Sequence, residues 1–165
     1  MSQHTIIGLG VKWADSFGEW EVQTDHEDIN GSLQLRWAYR NDWTQWDFRL
    51  GDTTATIRKK WKDDPGLWEI SALGKTVTAR TTWRGDFRSW RLDDGKHSFT
   101  WKSRYSNILE EWELRESSSG SFSVYTYYKG DPRDWVVMDE LDQDVSFAMR
   151  LAMIFLTIYH STPKV

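Results

Sequence analysis

A length of 165 residues fits one domain with a core of its own, and the reading is of a single domain over residues 1–165. A net charge of −4 excludes a global basic field of the kind that gathers nucleic acid, and the absence of cysteine excludes disulfides, thiol nucleophiles and cysteine metal sites. Twelve tryptophans, six tyrosines and seven phenylalanines, set against three prolines, exclude a chain too polar to fold.

Met1-Ser2-Gln3-His4 has neither a basic stretch nor an apolar one, so no secretory signal is expected and a cytoplasmic location is. Strands are expected around 8–13 and 18–24. Asp25-His26-Glu27-Asp28 is rich in oxygen but lacks the spacing of a calcium loop, and is read as a polar turn. Leu33, Leu35, Trp37 and Tyr39 then alternate with Gln34, Arg36, Ala38 and Arg40. Trp46, Phe48 and Leu50 alternate with Gln45, Asp47 and Arg49. The same period recurs at Val77, Ala79, Thr81 and Trp83, and at Phe99 and Trp101. A period of two marks antiparallel strands with one buried and one wet face, so these aromatics are read as core.

Turn residues punctuate the strands at Asn41-Asp42, Gly51-Asp52, Asp63-Asp64-Pro65-Gly66, Gly74, Gly85-Asp86, Asp93-Asp94-Gly95 and Ser117–Ser121. Moving residues 30–70 by 44 lays them on 74–114 with eight identities, among them Arg36/Arg80, Asp42/Asp86, Trp46/Trp90 and Trp68/Trp112. Tyr39 falls on Trp83 in that alignment. The shift is even, so each residue keeps its face of the sheet. With strands at 121–128 and 134–138 the total is near twelve. The chain is too short for the four blades of a propeller, and a closed barrel leaves no edge to protect.

Val145–Tyr159 reads as a helix, with Asp142 or Asp144 as its cap and Pro163 beyond its end. Its stretch Leu151-Ala152-Met153-Ile154-Phe155-Leu156 is apolar on every face, which requires burial all round or a membrane. Length decides against the membrane: 15 residues give about 22 Å of helix, where a span needs about 20 residues. Arg150 inside the run argues the same way. The fold expected is therefore mainly β, an antiparallel closed barrel of about twelve strands around a buried hydrophobic C-terminal helix.

Twelve short strands followed by an apolar helix resemble the tubby C-terminal-like group, which includes the tubby domain, LURP-one-related proteins and phospholipid scramblases. The acidic lead and helix from Asp142-Gln143-Asp144 to Phe155-Leu156-Thr157-Ile158 are most similar to LURP-one-related domains. The resemblance implies a closed twelve-stranded barrel around a central helix. It carries over no functional residue: the cysteine cluster of scramblases is missing, and no residue-by-residue match to the tubby lipid site is found.

Candidate chemistry is sparse. Arg58-Lys59-Lys60-Trp61-Lys62 is the densest basic run, and alternation sends Arg58, Lys60 and Lys62 to one face, close enough to grip a phosphate. Arg80, Arg84, Arg88, Arg91, Lys102 and Arg104 form a second basic set, expected to pair with Asp86, Asp93 and Asp94. Arg150 needs a buried partner, a route to the barrel mouth, or an internal anion. His4, His26, His97 and His160 are scattered, and no metal or cofactor is expected. No nucleophile, phosphate-loop or zinc-protease motif is present. The function expected is a non-enzymatic binding module for anionic lipid head groups or phosphate, using Arg58, Lys60 and Lys62, with Arg150 as a further ligand residue. No nucleic-acid partner and no transmembrane span are expected. The alternative is a lipocalin-type carrier with the helix outside and a lumen lined by tryptophan.

Overall fold

Runs of period-two alternation, each closed by a turn residue, become the strands of an up-and-down barrel. The computed structural model describes residues 5–105, 108–115 and 117–164, so Met1–His4 lies outside the described residues. In chain order the strands are β1 (Ile6–Trp13), β2 (Ser16–Thr24), β3 (Asn30–Trp37), β4 (Asp42–Leu50), β5 (Thr53–Trp61), β6 (Asp64–Ala72) and β7 (Lys75–Trp83). They continue as β8 (Asp86–Asp93), β9 (Ser98–Ser103), β10 (Glu111–Arg115), β11 (Gly120–Thr126) and β12 (Asp134–Leu141), before the helix α1 (Phe147–Ser161). Each strand pairs antiparallel with its neighbour in sequence, and β12 closes on β1 with Leu9 opposite Trp135. Closure pairs every edge.

Turn chemistry sets the register. Ala72 pairs with Lys75 across a two-residue loop, in which Leu73 and Gly74 both have positive φ (51° and 77°). That is the loop whose twist matches a hairpin, and glycine takes the second position without steric cost. Inward residues alternate as expected: Leu33 and Leu35, Trp46, Phe48 and Leu50, Val77 and Ala79, and Phe99 with Trp101 are all buried.

The helix lies inside. Every residue from Leu151 to Ile158 is buried, including those on opposite faces. Phe155 packs edge-on against Trp46 of β4 and Trp68 of β6, at ring separations of 5.5 and 4.9 Å. On other sides of the helix, Thr157 accepts from the Trp101 indole of β9 at 3.0 Å and Ser161 accepts from the Trp112 indole of β10 at 3.1 Å. Contacts to β4, β6, β9 and β10 together place the helix inside the barrel, its backbone nearest β6, β7 and β8. A carrier with an open, tryptophan-lined lumen is therefore not the arrangement adopted, because the helix fills that space.

The helix begins two residues later than its pattern indicates. Its cap is Ser146, not Asp142 or Asp144: Ser146 Oγ accepts from the Met149 N–H at 3.2 Å and donates to Asp94 Oδ2 at 2.8 Å. One hydroxyl thus caps the helix and fastens it to the turn after β8. No helix among the described residues is long and apolar enough to cross a membrane. Phe155→Ala removes the ring wedged between two tryptophans, and urea denaturation should show a loss of about 3–5 kcal/mol.

Candidate functional site

Up-and-down topology puts all six turns from an odd strand to the following even strand at one end of the barrel, together with the C-terminus of α1. Each even strand carries one buried tryptophan near that end: Trp20, Trp46, Trp68, Trp90, Trp112 and Trp135. Across the pairing these face Val11, Leu35, Lys59, Thr81, Ser103 and Thr126. Two residues further along each odd strand or its turn stands an aromatic: Trp13, Trp37, Trp61, Trp83, Tyr105 and Tyr128. Trp37 is half-buried, while the other five are exposed, Trp61 by 60% and Trp83 by 68%. Tyr39 and Tyr127 stand exposed in the same turns. Alternation assigned Trp83 and Tyr39 to the core; the structure corrects this, because the barrel ends before they are reached.

A shared irregularity produces the rim. In the first four hairpins the two steps from the tryptophan's partner to the rim aromatic face four steps on the even strand, as in Thr81↔Trp90 and Trp83↔Asp86. The slack is held by the residue four before the buried tryptophan. Ser16, Asp42, Asp64 and Asp86 each accept from the backbone N–H two residues on, at 2.9 to 3.3 Å. The Thr44 hydroxyl holds the Asp42 carboxyl below the usual range, and the Arg88 side chain does the same for Asp86. A turn at Ala38–Arg40 lengthens the second hairpin, so Trp37, not Tyr39, is the register counterpart of Trp83.

Basic groups lie over the rim rings. Lys12 sits 5.5 Å from the centre of Trp13, Lys60 5.8 Å from Trp61, Arg40 5.4 Å from Tyr39 and Arg104 5.6 Å from Tyr105. Charge is also unequal between the two ends. Residues 11–20, 35–46, 59–68, 81–90, 103–105, 108–112, 126–135 and 159–164 build the rim end and carry 12 Lys and Arg against 10 Asp and Glu. The other described residues carry 9 against 14. The negative net charge thus belongs to the far end.

The four residues singled out from sequence do not form one site. Arg58 donates to Glu69 at 2.6 Å, and Lys60 lies 3.8 Å from the same carboxylate. Glu69 is the register partner of Arg58, so the patch is partly neutralised by its own sheet. Lys62 lies beyond the strand, in the rim turn next to Trp61. Arg150 is at the other end of α1 and is occupied: its Nε donates to Asp139 at 2.7 Å, and its remaining N–H groups reach the carbonyls of Leu141, Val145 and Asp142. It neither emerges into solvent nor awaits an anion; it seals the barrel floor.

The second basic set also differs from expectation. Arg88 pairs with Asp86, but Asp93 and Asp94 spend their oxygens on the turn N–H groups of Gly95, Lys96 and His97. Arg80 and Arg84 form no ion pair among the described residues. They line a groove of 640 Å³ with Asp63, Asp64, Gly66 and Thr81, between the β5–β6 and β7–β8 turns. Sequence reasoning missed this groove because its walls come from turns some twenty residues apart. No group of three or more metal-ligating side chains occurs among the described residues.

Under the rim, His160 stacks on Phe87 at 5.2 Å and lies against Trp90 and Tyr159. Its Nε2 is sealed from solvent, and burial, helped by the Lys164 charge, pushes its pKa down to about 3. No family model, curated protein or solved structure matches this chain.

Two outcomes follow from the charges inside. Arg150→Met leaves Asp139 buried without its cation and should cost about 3–5 kcal/mol in chemical denaturation; adding Asp139→Asn should cost less than the sum of the two singles. His160 stays neutral when folded but titrates near 6.5 when unfolded, so its contribution is full above about pH 6.5 and is lost as pH falls toward 3. His160→Phe should therefore lose about 3 kcal/mol less stability than the parent between pH 7 and pH 4, with the carboxylates common to both cancelling.

Proposed function

We propose that this chain is a non-enzymatic binding barrel that docks end-on against membrane surfaces bearing anionic lipid head groups. The observation that carries the reading is the rim: exposed Trp and Tyr from the odd-to-even turns, with Lys or Arg beside them, at the less acidic end of the barrel. Tryptophan and tyrosine suit the head-group layer because their rings are apolar at one edge and polar at the other. Lysine and arginine extend aliphatic stems and place their charge among phosphates. Lys60 and Lys62 flank Trp61 in this rim, so the basic run noted in the sequence contributes to it, with Arg58 further down the barrel wall. The acidic far end would point away from a negative surface and orient the approach.

The cytoplasmic leaflet, which is the anionic one, is the natural partner surface. Twelve strands closed around an apolar C-terminal helix also support a relationship with the tubby C-terminal-like group and its LURP-one-related members. That relationship would account for the architecture and leaves the ligand to the rim.

Sedimentation with phosphatidylserine–phosphatidylcholine vesicles measures the proposal directly. Binding should appear at low salt, decline as salt screens the surface, and vanish on pure phosphatidylcholine. Lys60→Glu with Lys62→Glu should weaken it at least about tenfold, at roughly 1 kcal/mol per charge near the surface. Trp61→Ala with Trp83→Ala should weaken it without changing the salt slope. An unbound protein on anionic vesicles at low salt would remove the reading.

A further inference from the structure

We propose that the groove between the β5–β6 and β7–β8 turns is a binding site for an acidic saccharide, a pyranose ring carrying a carboxylate. This site acts on a free sugar and does not depend on the membrane reading. Three features converge on that chemistry.

The first is a pair of arginines free of ion pairs among the described residues, in a groove that also holds the Asp63 and Asp64 carboxylates. Several arginines of the barrel are engaged: Arg58 with Glu69, Arg88 with Asp86, Arg104 with Glu111, Arg133 with Asp131 and Arg150 with Asp139. Arg80 and Arg84 line the groove with no ion pair among the described residues. Two guanidinium groups at one cleft fit a planar carboxylate, which they can grip through paired N–H donors.

The second is a floor suited to hydroxyl groups. Thr81 brings a hydroxyl into the groove and Asp63 a carboxylate. Asp64 is held by the Gly66 N–H at 3.0 Å and is fixed in place. Gly66 lets the floor sit close against Thr81: a Cβ there would stand 2.8 Å from Thr81 Oγ1 and 3.4 Å from Asp64 Oδ1. The carboxylate accepts from sugar hydroxyls while the threonine can donate or accept, a mixture that a bare anion would not need.

The third is the pair of indoles that flank the groove in sequence. Trp61 is the register partner of Asp64, and Trp83 directly precedes Arg84. Both are largely exposed, Trp61 with Lys60 over its ring, and exposed indoles can stack on the C–H face of a pyranose.

The test is titration of the full chain with three free compounds, glucuronate, glucose and inorganic phosphate, followed by tryptophan fluorescence and amide NMR shifts. Glucuronate should bind with a dissociation constant on the order of 1 mM, and glucose and phosphate should bind at least tenfold more weakly. Shifts should centre on residues 63–66 and 80–85. Arg84→Gln should weaken glucuronate tenfold or more, and Gly66→Ala should do the same by displacing the Thr81 hydroxyl. Trp13→Ala, on the opposite side of the rim, should leave it unchanged. Arg84 is exposed, so its variant tests the site without endangering the fold. Equal binding of phosphate would reduce the groove to an anion hole and overturn the proposal, as would equal binding of glucose or no binding of glucuronate. None of these results bears on vesicle binding, which is measured without sugar.

Discussion

A helix with no polar face dictates this architecture. From Leu151 to Ile158 the segment offers only apolar side chains and one threonine, so no two-layer packing could cover it. A single sheet shields one side of a helix, whereas a closed barrel shields all of them. Twelve strands supply a bore wide enough for a helix, and the helix removes a cavity that the strands could not fill. The two halves of the chain are therefore interdependent: the barrel without its helix would be hollow, and the helix without the barrel would be insoluble.

Polar atoms within that core are few, and most of the indole N–H groups are matched. Thr157 takes the Trp101 indole proton and passes its own to the Met153 carbonyl. Indole N–H groups of Trp20, Trp46, Trp90 and Trp135 donate to the carbonyl three residues earlier, within the same turn that frees the rim aromatic. Trp68 departs from this and its indole nitrogen has no partner among the described residues. That exception lies in the β5–β6 hairpin, beside the groove. At the floor, the Arg150–Asp139 pair and the Ser146–Asp94 bond fasten helix to barrel at fixed rotation. A buried ion pair adds little to stability over an apolar alternative, but it penalises every other docking of the helix.

The proposed contact surface lies at the opposite end because that is where the alternating pattern outlasts the barrel. The inward phase of each odd strand continues past the buried tryptophan layer and delivers an aromatic side chain into solvent. Such groups cost solubility and lend no stability, which is why they are read here as a contact surface. The wide turns that carry them also open the groove holding Arg80 and Arg84.

The amino-acid order by itself determined the strand pattern, the faces of the sheet, and the necessity of enclosing the helix, because periodicity and polarity are local properties. It also marked Arg150 as a residue needing a partner. It did not reveal which carboxylate met it: Asp139 lies eleven positions away, and only closure of β12 against α1 brings them together. Nor could it separate Trp83 from Val77, since both occupy the same phase; only barrel length decides which is buried. Arg58 looked free and is paired with Glu69, whereas Arg80 looked paired and stands open. Charge partners are set by register across strands, which is not written in neighbouring residues, and by turns that divert Asp93 and Asp94 to backbone N–H groups.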